Sequence, residues 1–342
     1  SVTEIGTKAF YGNNELETVI NYDGNKSKRY IYYPNGEETI IINDYIGQKN
    51  KLEIPSIINK KEISQIDEAA FAHNGLKKVK IPNCISKISK QTFYDNNLSS
   101  IDIPNSVTII GEEAFYKNNL ISINIPESVT KICESAFHRN DLVSIEIPDS
   151  VIKIGMSAFS DNKLKTITIP NSVTEISRGV FENNKLKTVK IPKNVDEIKM
   201  DAFTNNELET VINYDGFKSK RYIYYPNDEE TITISDYIGQ KNKLEIPSTI
   251  NKKEVNTISE GAFYNNNLIS VDIPDSVNRI GRAAFAENNL KSVEIPGDIF
   301  SLDLRAFNEY NDDFHEVYTN NNESAGTYIK KDGKWKKSNK AK

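Results

Sequence analysis

A single spacing constrains this chain more than any other feature. Phenylalanine recurs at Phe71, Phe93, Phe115, Phe137, Phe159, Phe181 and Phe203, always 22 residues apart, and resumes on the same period at Phe263, Phe285 and Phe307. A fixed period of this size marks stacked units, each too small to bury its own apolar face. The unit reads L-x-x-(V/I)-x-I-P, then x-x-V-x-x-I, then A-F-x-x-N. In residues 98–104, Ile101 and Ile103 alternate with Ser100 and Asp102, the pattern of a strand with two inward residues. Pro104 cannot donate to a ladder, so it ends that strand. Val107, Ile110, Ala114 and Phe115 follow at spacings of 3, 4 and 1, which predicts a tight coil and then a helical turn. Leu98, Ile101, Ile103, Val107, Ile110, Ala114 and Phe115 thus point into one rung, and copies must stack to cover them.

An asparagine is as regular as the phenylalanine. Asn14, Asn74, Asn96, Asn118, Asn140, Asn162, Asn184, Asn206, Asn266 and Asn288 each stand two residues before a repeat leucine. A short amide that both donates and accepts suits a buried turn with unpaired backbone groups, so a structural ladder is expected rather than a row of ligand-binding amides.

These repeats resemble the leucine-rich repeats of BspA-type bacterial surface proteins. IPNSVTIIGEEAF at 103–115, IPDSVIKIGMSAF at 147–159 and IPDSVNRIGRAAF at 273–285 carry the resemblance, which extends over most of residues 1–307. The family's commoner repeat is one residue longer and often has cysteine where asparagine stands here. The expected fold is an α/β leucine-rich-repeat solenoid, horseshoe-like, with a parallel sheet on the concave face and short helical turns and coil on the convex one. The resemblance implies a secreted or wall-attached bacterial protein.

The period breaks twice, in the same way. Residues 15–59 recur at 207–251 with few changes, an offset of 192. Within each copy, β-rich runs flank a turn signal, Pro34-Asn35-Gly36 in the first, which predicts a hairpin. The copies read as irregular rungs of one solenoid, with a separately folded β insert as the alternative. Four segments follow: 1–20, the tail of a preceding module; 21–212, a full module with a hairpin-like start; 213–308, a second module; and 309–342, a cap and basic tail. Tyr328 and Trp335 flank a hairpin expected about Asp332-Gly333, and a cap is needed because an open sheet edge invites pairing. The opening SVTEIGTKAF is the middle of a repeat, so a signal peptide is expected upstream.

Charge and composition remove several function classes. Lysine plus arginine number 43 against 48 acids, a net charge of −5 with the signs interspersed. That is no basic stripe for nucleic acid. No apolar run approaches the ~18 residues of a membrane span, so no membrane insertion is expected. Cys84 and Cys133 lie two rungs apart, roughly 10 Å along the stack, beyond the ~7 Å limit for a disulfide. Two free, largely buried thiols are expected. His73, His138 and His315 are scattered and build no HExxH, and no Gly-rich phosphate loop is present. Asp312, Asp313, His315 and Glu316 read as a solvated turn. Catalytic residues, metal ligands and cofactors are therefore none, and the chain reads as a non-enzyme.

What remains is the solvent face of the main sheet. Its first column reads Lys78, Ser100, Ser122, Ser144, Thr166, Thr188, Thr210, and its second Lys80, Asp102, Asn124, Glu146, Thr168, Lys190. Ser100, Asp102, Ser122, Asn124, Ser144, Glu146, Thr166 and Thr168 are the expected ligand-binding floor. Tyr30 and Tyr32, with Tyr222 and Tyr224 in the second copy, are candidate aromatic platforms for sugars or proline-rich segments, against plain packing of the hairpin. The expected function is a monomeric, extracellular or cell-wall-associated binding and adhesion module for a host or bacterial surface protein or glycan. A rigid spacer presenting a neighbouring domain, or the targeting region of a larger secreted enzyme, is the alternative.

Overall fold

Each 22-residue period closes into one turn of a parallel β-solenoid, seen here in a computed structural model. The structure describes residues 19–21, 26–27, 29–47, 49–297, 299–303, 305–307, 313–321, 324–331 and 333–338. The opening repeat with Asn14, and also Asp312 and Asp332, lie outside the described residues. The chain forms two compact units: residues up to Lys187 with Ala202–Glu207, and Thr188–Asp201 with Leu208 onward.

In the first unit the main sheet is built from three-residue strands such as Lys78–Lys80, Ser100–Asp102, Ser144–Glu146 and Thr166–Thr168, in each of which only the central residue is buried. The inward set of one rung is buried throughout, from Leu98 and Phe115 at 0% to Ile103 at 7% exposure. Phenylalanine rings stack from rung to rung with centroids 5.3–5.8 Å apart from Phe71 to Phe203. In the second unit Phe263, Phe285 and Phe307 continue likewise at 5.0 and 5.3 Å. Offset-stacked rings add to what their buried area contributes.

The asparagine ladder answers the backbone accounting of the turns. Asn118 Oδ1 accepts from the Leu98 amide at 3.1 Å, while its Nδ2 donates to the carbonyls of Phe93 at 2.9 Å and Phe115 at 3.2 Å. Asn140, Asn162, Asn184 and Asn206 repeat the pattern, and Asn288 does so in the second unit. One amide thus satisfies backbone groups of successive rungs that would otherwise be buried unpaired.

The stretch expected to be a helical turn takes another form. Lys87–Ile88, Ile109–Ile110, Lys131–Ile132 and Lys153–Ile154 make a second, narrow parallel sheet. Beyond it Glu113 and Lys117, like their equivalents Gln91, Asp95, Ser135 and Arg139, have φ between 50° and 55°, which a right-handed helix excludes. Each such residue costs roughly 1–2 kcal/mol in conformation. It turns alternate amides outward to the next rung, with Glu113 N to Glu134 O at 2.9 Å and Phe115 N to Ala136 O at 2.8 Å. Gly111 follows the narrow strand where adjacent rungs approach closely, and a Cβ there would stand 2.6 Å from the Ile88 carbonyl.

The period breaks are hairpins set into the stack. Tyr30–Pro34 pairs antiparallel with Thr39–Tyr45, which runs parallel to Lys61–Ile66. In the second unit Tyr222–Pro226, Thr231–Tyr237, Lys253–Ile258, Arg279–Ile280 and Ser301–Leu302 form one continuous sheet. Tyr45 and Tyr237 head the aromatic ladders, each 5.5 Å from the first phenylalanine, Phe71 or Phe263. The segments are therefore irregular rungs.

At the C-terminal end, Gly326–Lys331 joins Ser292–Ile295 antiparallel and turns into Lys334–Lys337. Phe314 from the helix Asp313–Asn320 packs on Phe307, and Tyr328 and Trp335 close around it at 5.2 Å each. This cap covers the main-sheet edge of the second unit, as the apolar end of a solenoid requires.

Two further expectations are corrected. Cys84 is exposed and Cys133 half-buried, both free. Cys84 sits in the turn between Pro82 and Ile85, and Cys133 follows the narrow strand, neither at an inward repeat position. The proposed platforms Tyr30, Tyr32, Tyr222 and Tyr224 are buried, at 7, 1, 5 and 0% exposure. Both faces of the hairpin strand are covered, and a register shift after Ile31 and after Ile223 lets consecutive residues turn inward.

Candidate functional site

Every residue named for the main-sheet floor is exposed, because the strand places it opposite a buried neighbour: Ser100 and Asp102 about Ile101, Ser122 and Asn124 about Ile123, Ser144 and Glu146 about Ile145, Thr166 and Thr168 about Ile167. Register aligns them. Lys78 pairs with Ser100 and Lys80 with Asp102, Asp102 bridges to Asn124 and Asn124 to Glu146, and Ser144 and Glu146 pair with Thr166 and Thr168. Parallel strands lie about 4.8 Å apart, so the columns are continuous rows of polar groups at that spacing.

The electrostatics of the row are uneven. Glu53 extends it, pairing in register with Lys80 and meeting its ammonium at 2.5 Å. That bond holds Lys80 above its usual range, and with both side chains mostly exposed it contributes little to stability. It neutralises Lys80, while Lys51 and Lys78 beside it keep that end of the other column basic. Among the described residues Asp102 and Glu146 have no ion-pair partner, so the middle of the row presents two free carboxylates around Asn124.

The second unit has its own acidic row, which the reading of the columns missed. Glu245, Asp272 and Glu294 pair in register. The signal is present in the chain, since V-D-I-P at 271–274, beyond the period break, repeats I-D-I-P at 101–104. Asp272, Asp275, Glu294, Thr327 and Lys337 line a groove of about 740 Å³ beside the C-terminal hairpin.

The buried tyrosines do internal work. Asn21 accepts the Tyr32 amide at 2.9 Å and Asn213 the Tyr224 amide at 3.0 Å. Burial pushes the Tyr30 and Tyr222 phenols up to about 12 and raises Tyr224 further. The histidines are dispersed. His73 meets Asp95 at 3.0 Å, and His138 meets Asp161 at 3.4 Å, with burial pulling His138 below its ordinary range. Asp313 accepts the Trp335 amide at 2.9 Å and so belongs to the cap. Among the described residues no group of three or more His, Cys, Asp or Glu is arranged to hold a metal ion, and no helix is long and apolar enough to cross a membrane.

Comparison with known proteins agrees with this geometry. A profile described as BspA type leucine rich repeat region, in six copies, matches residues 40–164, 108–229 and 232–331. Among solved structures, a leucine rich cell surface protein from Faecalibacterium prausnitzii is similar at 26% identity and a TM-score of 0.62, over 82% of this chain and 85% of the other. A leucine-rich repeat protein from Bacteroides ovatus is 20% identical with a TM-score of 0.53, over 83% and 91%. No curated protein matches.

Proposed function

We propose, from the premise that this chain belongs to the BspA-type leucine-rich repeat family, that it is a non-catalytic binding and adhesion module of a bacterial surface or secreted protein. Its ligand is a host or bacterial surface protein or glycan engaged by the main-sheet face. One observation carries the reading: Asp102, Asn124 and Glu146 stand exposed and in register on consecutive rungs. Such a row is prepaid in conformational entropy, because the rungs beneath hold each backbone in place. Its free carboxylates and flanking hydroxyls suit a partner rich in hydrogen-bond donors. Extracellular or cell-wall placement, and action as a monomer, belong to the same reading. The Faecalibacterium cell surface protein lends it support.

The test is Asp102→Lys/Asn124→Lys/Glu146→Lys in pull-downs from surface extracts and on glycan arrays. These exposed positions leave the core untouched, so loss of capture with an unchanged melting curve is the expected result. Full retention rejects this face. The phenylalanine ladder within each unit also favours a second reading, a rigid spacer. Deleting one 22-residue rung would then change function where charge reversal does not.

A further inference from the structure

The sheet that begins with the second hairpin carries a polar row of its own. Tyr225 pairs with Thr233, Thr233 with Thr257, Thr257 with Arg279 and Arg279 with Ser301. Residues paired in register share a face, so five side chains cross the sheet in one line. With Asn227, Asn256, Ser259, Asp196 and Asp303 they line an open groove of about 620 Å³. Its floor is held by its own hydrogen bonds. Asn227 Nδ2 donates to Asn256 Oδ1 at 2.5 Å, Thr257 Oγ1 to the same oxygen at 2.9 Å, and the Thr233 hydroxyl to Asn227 Oδ1. The Tyr225 hydroxyl lies in hydrogen-bonding reach of Ser259 and Thr233.

We infer that this groove is a saccharide-binding site, taking a short neutral oligosaccharide. The chemistry of the lining selects that class. Amides and hydroxyls offer donors and acceptors in alternation, as a polyol needs. Arg279 presents a planar fork to adjacent hydroxyls, and Asp196 and Asp303 accept hydroxyl protons. One cation against two carboxylates leaves no field for a phosphate or a polycation. Apart from the Tyr225 ring and Pro226, no partly exposed apolar group is present to anchor a protein hot spot, while a tyrosine ring serves the C–H face of a sugar.

The first copy of the hairpin supplies the contrast. At the equivalent places it carries Ile41 for Thr233, Ser64 for Asn256, Gln65 for Thr257, Asp67 for Ser259, Ile109 for Ser301 and Gly111 for Asp303. Tyr33 is tied to Asp67 at 2.8 Å. Two copies with nearly the same buried half therefore differ along this line: the first keeps an Asn35 to Ser64 bond at 2.8 Å, whereas the second sets the hydroxyls of Thr233, Thr257, Ser259 and Ser301 beside two asparagines. The inference is independent of the main-sheet reading, which concerns another face in the other unit.

The experiment screens the full chain against immobilised N-acetylglucosamine oligomers and mannan- and β-glucan-derived oligosaccharides, and follows with calorimetric titration of those that bind. Two variants accompany it. Thr233→Ile/Asn256→Ser/Thr257→Gln/Ser259→Asp installs residues that the same scaffold already accommodates in the first copy. Arg279→Ala changes an exposed side chain and keeps the test decisive should the fourfold variant misfold. The expected result is binding of a neutral oligosaccharide that weakens at least tenfold in each variant and persists in Asp102→Lys/Asn124→Lys/Glu146→Lys. Absence of saccharide binding, or equal affinity in Arg279→Ala, overturns the site. Loss confined to the main-sheet variant also overturns it and credits the main-sheet reading instead.

Discussion

The hairpin rung of the first unit and its copy in the second share their interior and part company on their surface. Tyr30, Tyr32 and Tyr45 are buried, as are Tyr222, Tyr224 and Tyr237. Both ladders start in the same way, with tyrosine pairs 5.6 Å apart. Outward, Ile41 stands where Thr233 does, and Asp67 where Ser259 does. The interior is held by neighbours above and below that are themselves repeats, so any change there must fit a close-packed site. The outer row is freer where it is exposed, as at Arg279 and Ser301, whereas Ile41 and Thr233 are themselves covered, so chemistry differs at little cost to the fold at the exposed positions.

The strongest way to break this comparison is to empty the shared interior. Phe137→Ala in the first unit and Phe285→Ala in the second should each cost about 3–5 kcal/mol, since both rings are fully buried between two others. Hydrogen exchange should localise the damage to adjacent rungs. A cost well below this in only one unit would mean that the ladders are not equivalent. The amide ladder comes next. Asn140→Ala and Asn288→Ala strand several backbone groups and should each cost about 1–3 kcal/mol or more, read from denaturant midpoints.

A pH titration sharpens the comparison further, because Asp44 and Asp236 occupy the same place in the two copies. Burial pushes Asp44 up to about 6, against the Tyr45 amide that bonds it. It pushes Asp236 up to about 7, with Asp201 adding to the rise. Each folded-state value lies above the unfolded one of about 4, so the folded state holds the extra proton. The contribution is full below about pH 4 and is lost as pH rises through 6 in the first unit and through 7 in the second. Exchange rates of Thr39–Tyr45 and Thr231–Tyr237, corrected for intrinsic pH dependence, should show the two steps in that order. Asp44→Asn and Asp236→Asn should each remove one. The smallest effect is expected at the exposed positions of the outer row: Lys87→Ala and Arg279→Ala should each shift stability by less than about 0.5 kcal/mol. A larger loss would show that the outer row helps to hold the fold.

The phenylalanine and asparagine ladders were legible in the chain because a repeat presents the same question ten times and the inward residues answer it alike. The main-sheet floor was legible for the same reason, since Asp102 and Glu146 alternate with isoleucines that must be buried. Tyr32 and Tyr224 misled because alternation assumes one covered face, whereas this strand is covered on both. The φ values near 52° at Glu113 and Ser135 leave no trace in side-chain type, since inter-rung hydrogen bonds enforce them on ordinary residues. Cys84 and Cys133 are less buried than expected because the repeat assigns those positions to a turn and to the rim of the narrow strand.

From its residues alone this chain settled that it would be a stack, how many residues each turn would take and which side chains would face the interior. Those follow from periodicity and the cost of exposing apolar surface, which are properties of the chain. Folding decided which distant residues would stand side by side: Glu53 against Lys80, and Tyr225, Thr233, Thr257, Arg279 and Ser301 in one line. Where strands lie 22 residues apart the repeat itself sets the register, as for Thr257, Arg279 and Ser301; where hairpins and bulges interrupt it, as between Tyr225, Thr233 and Thr257 or between Glu53 and Lys80, only the contacts of the assembled rungs set it.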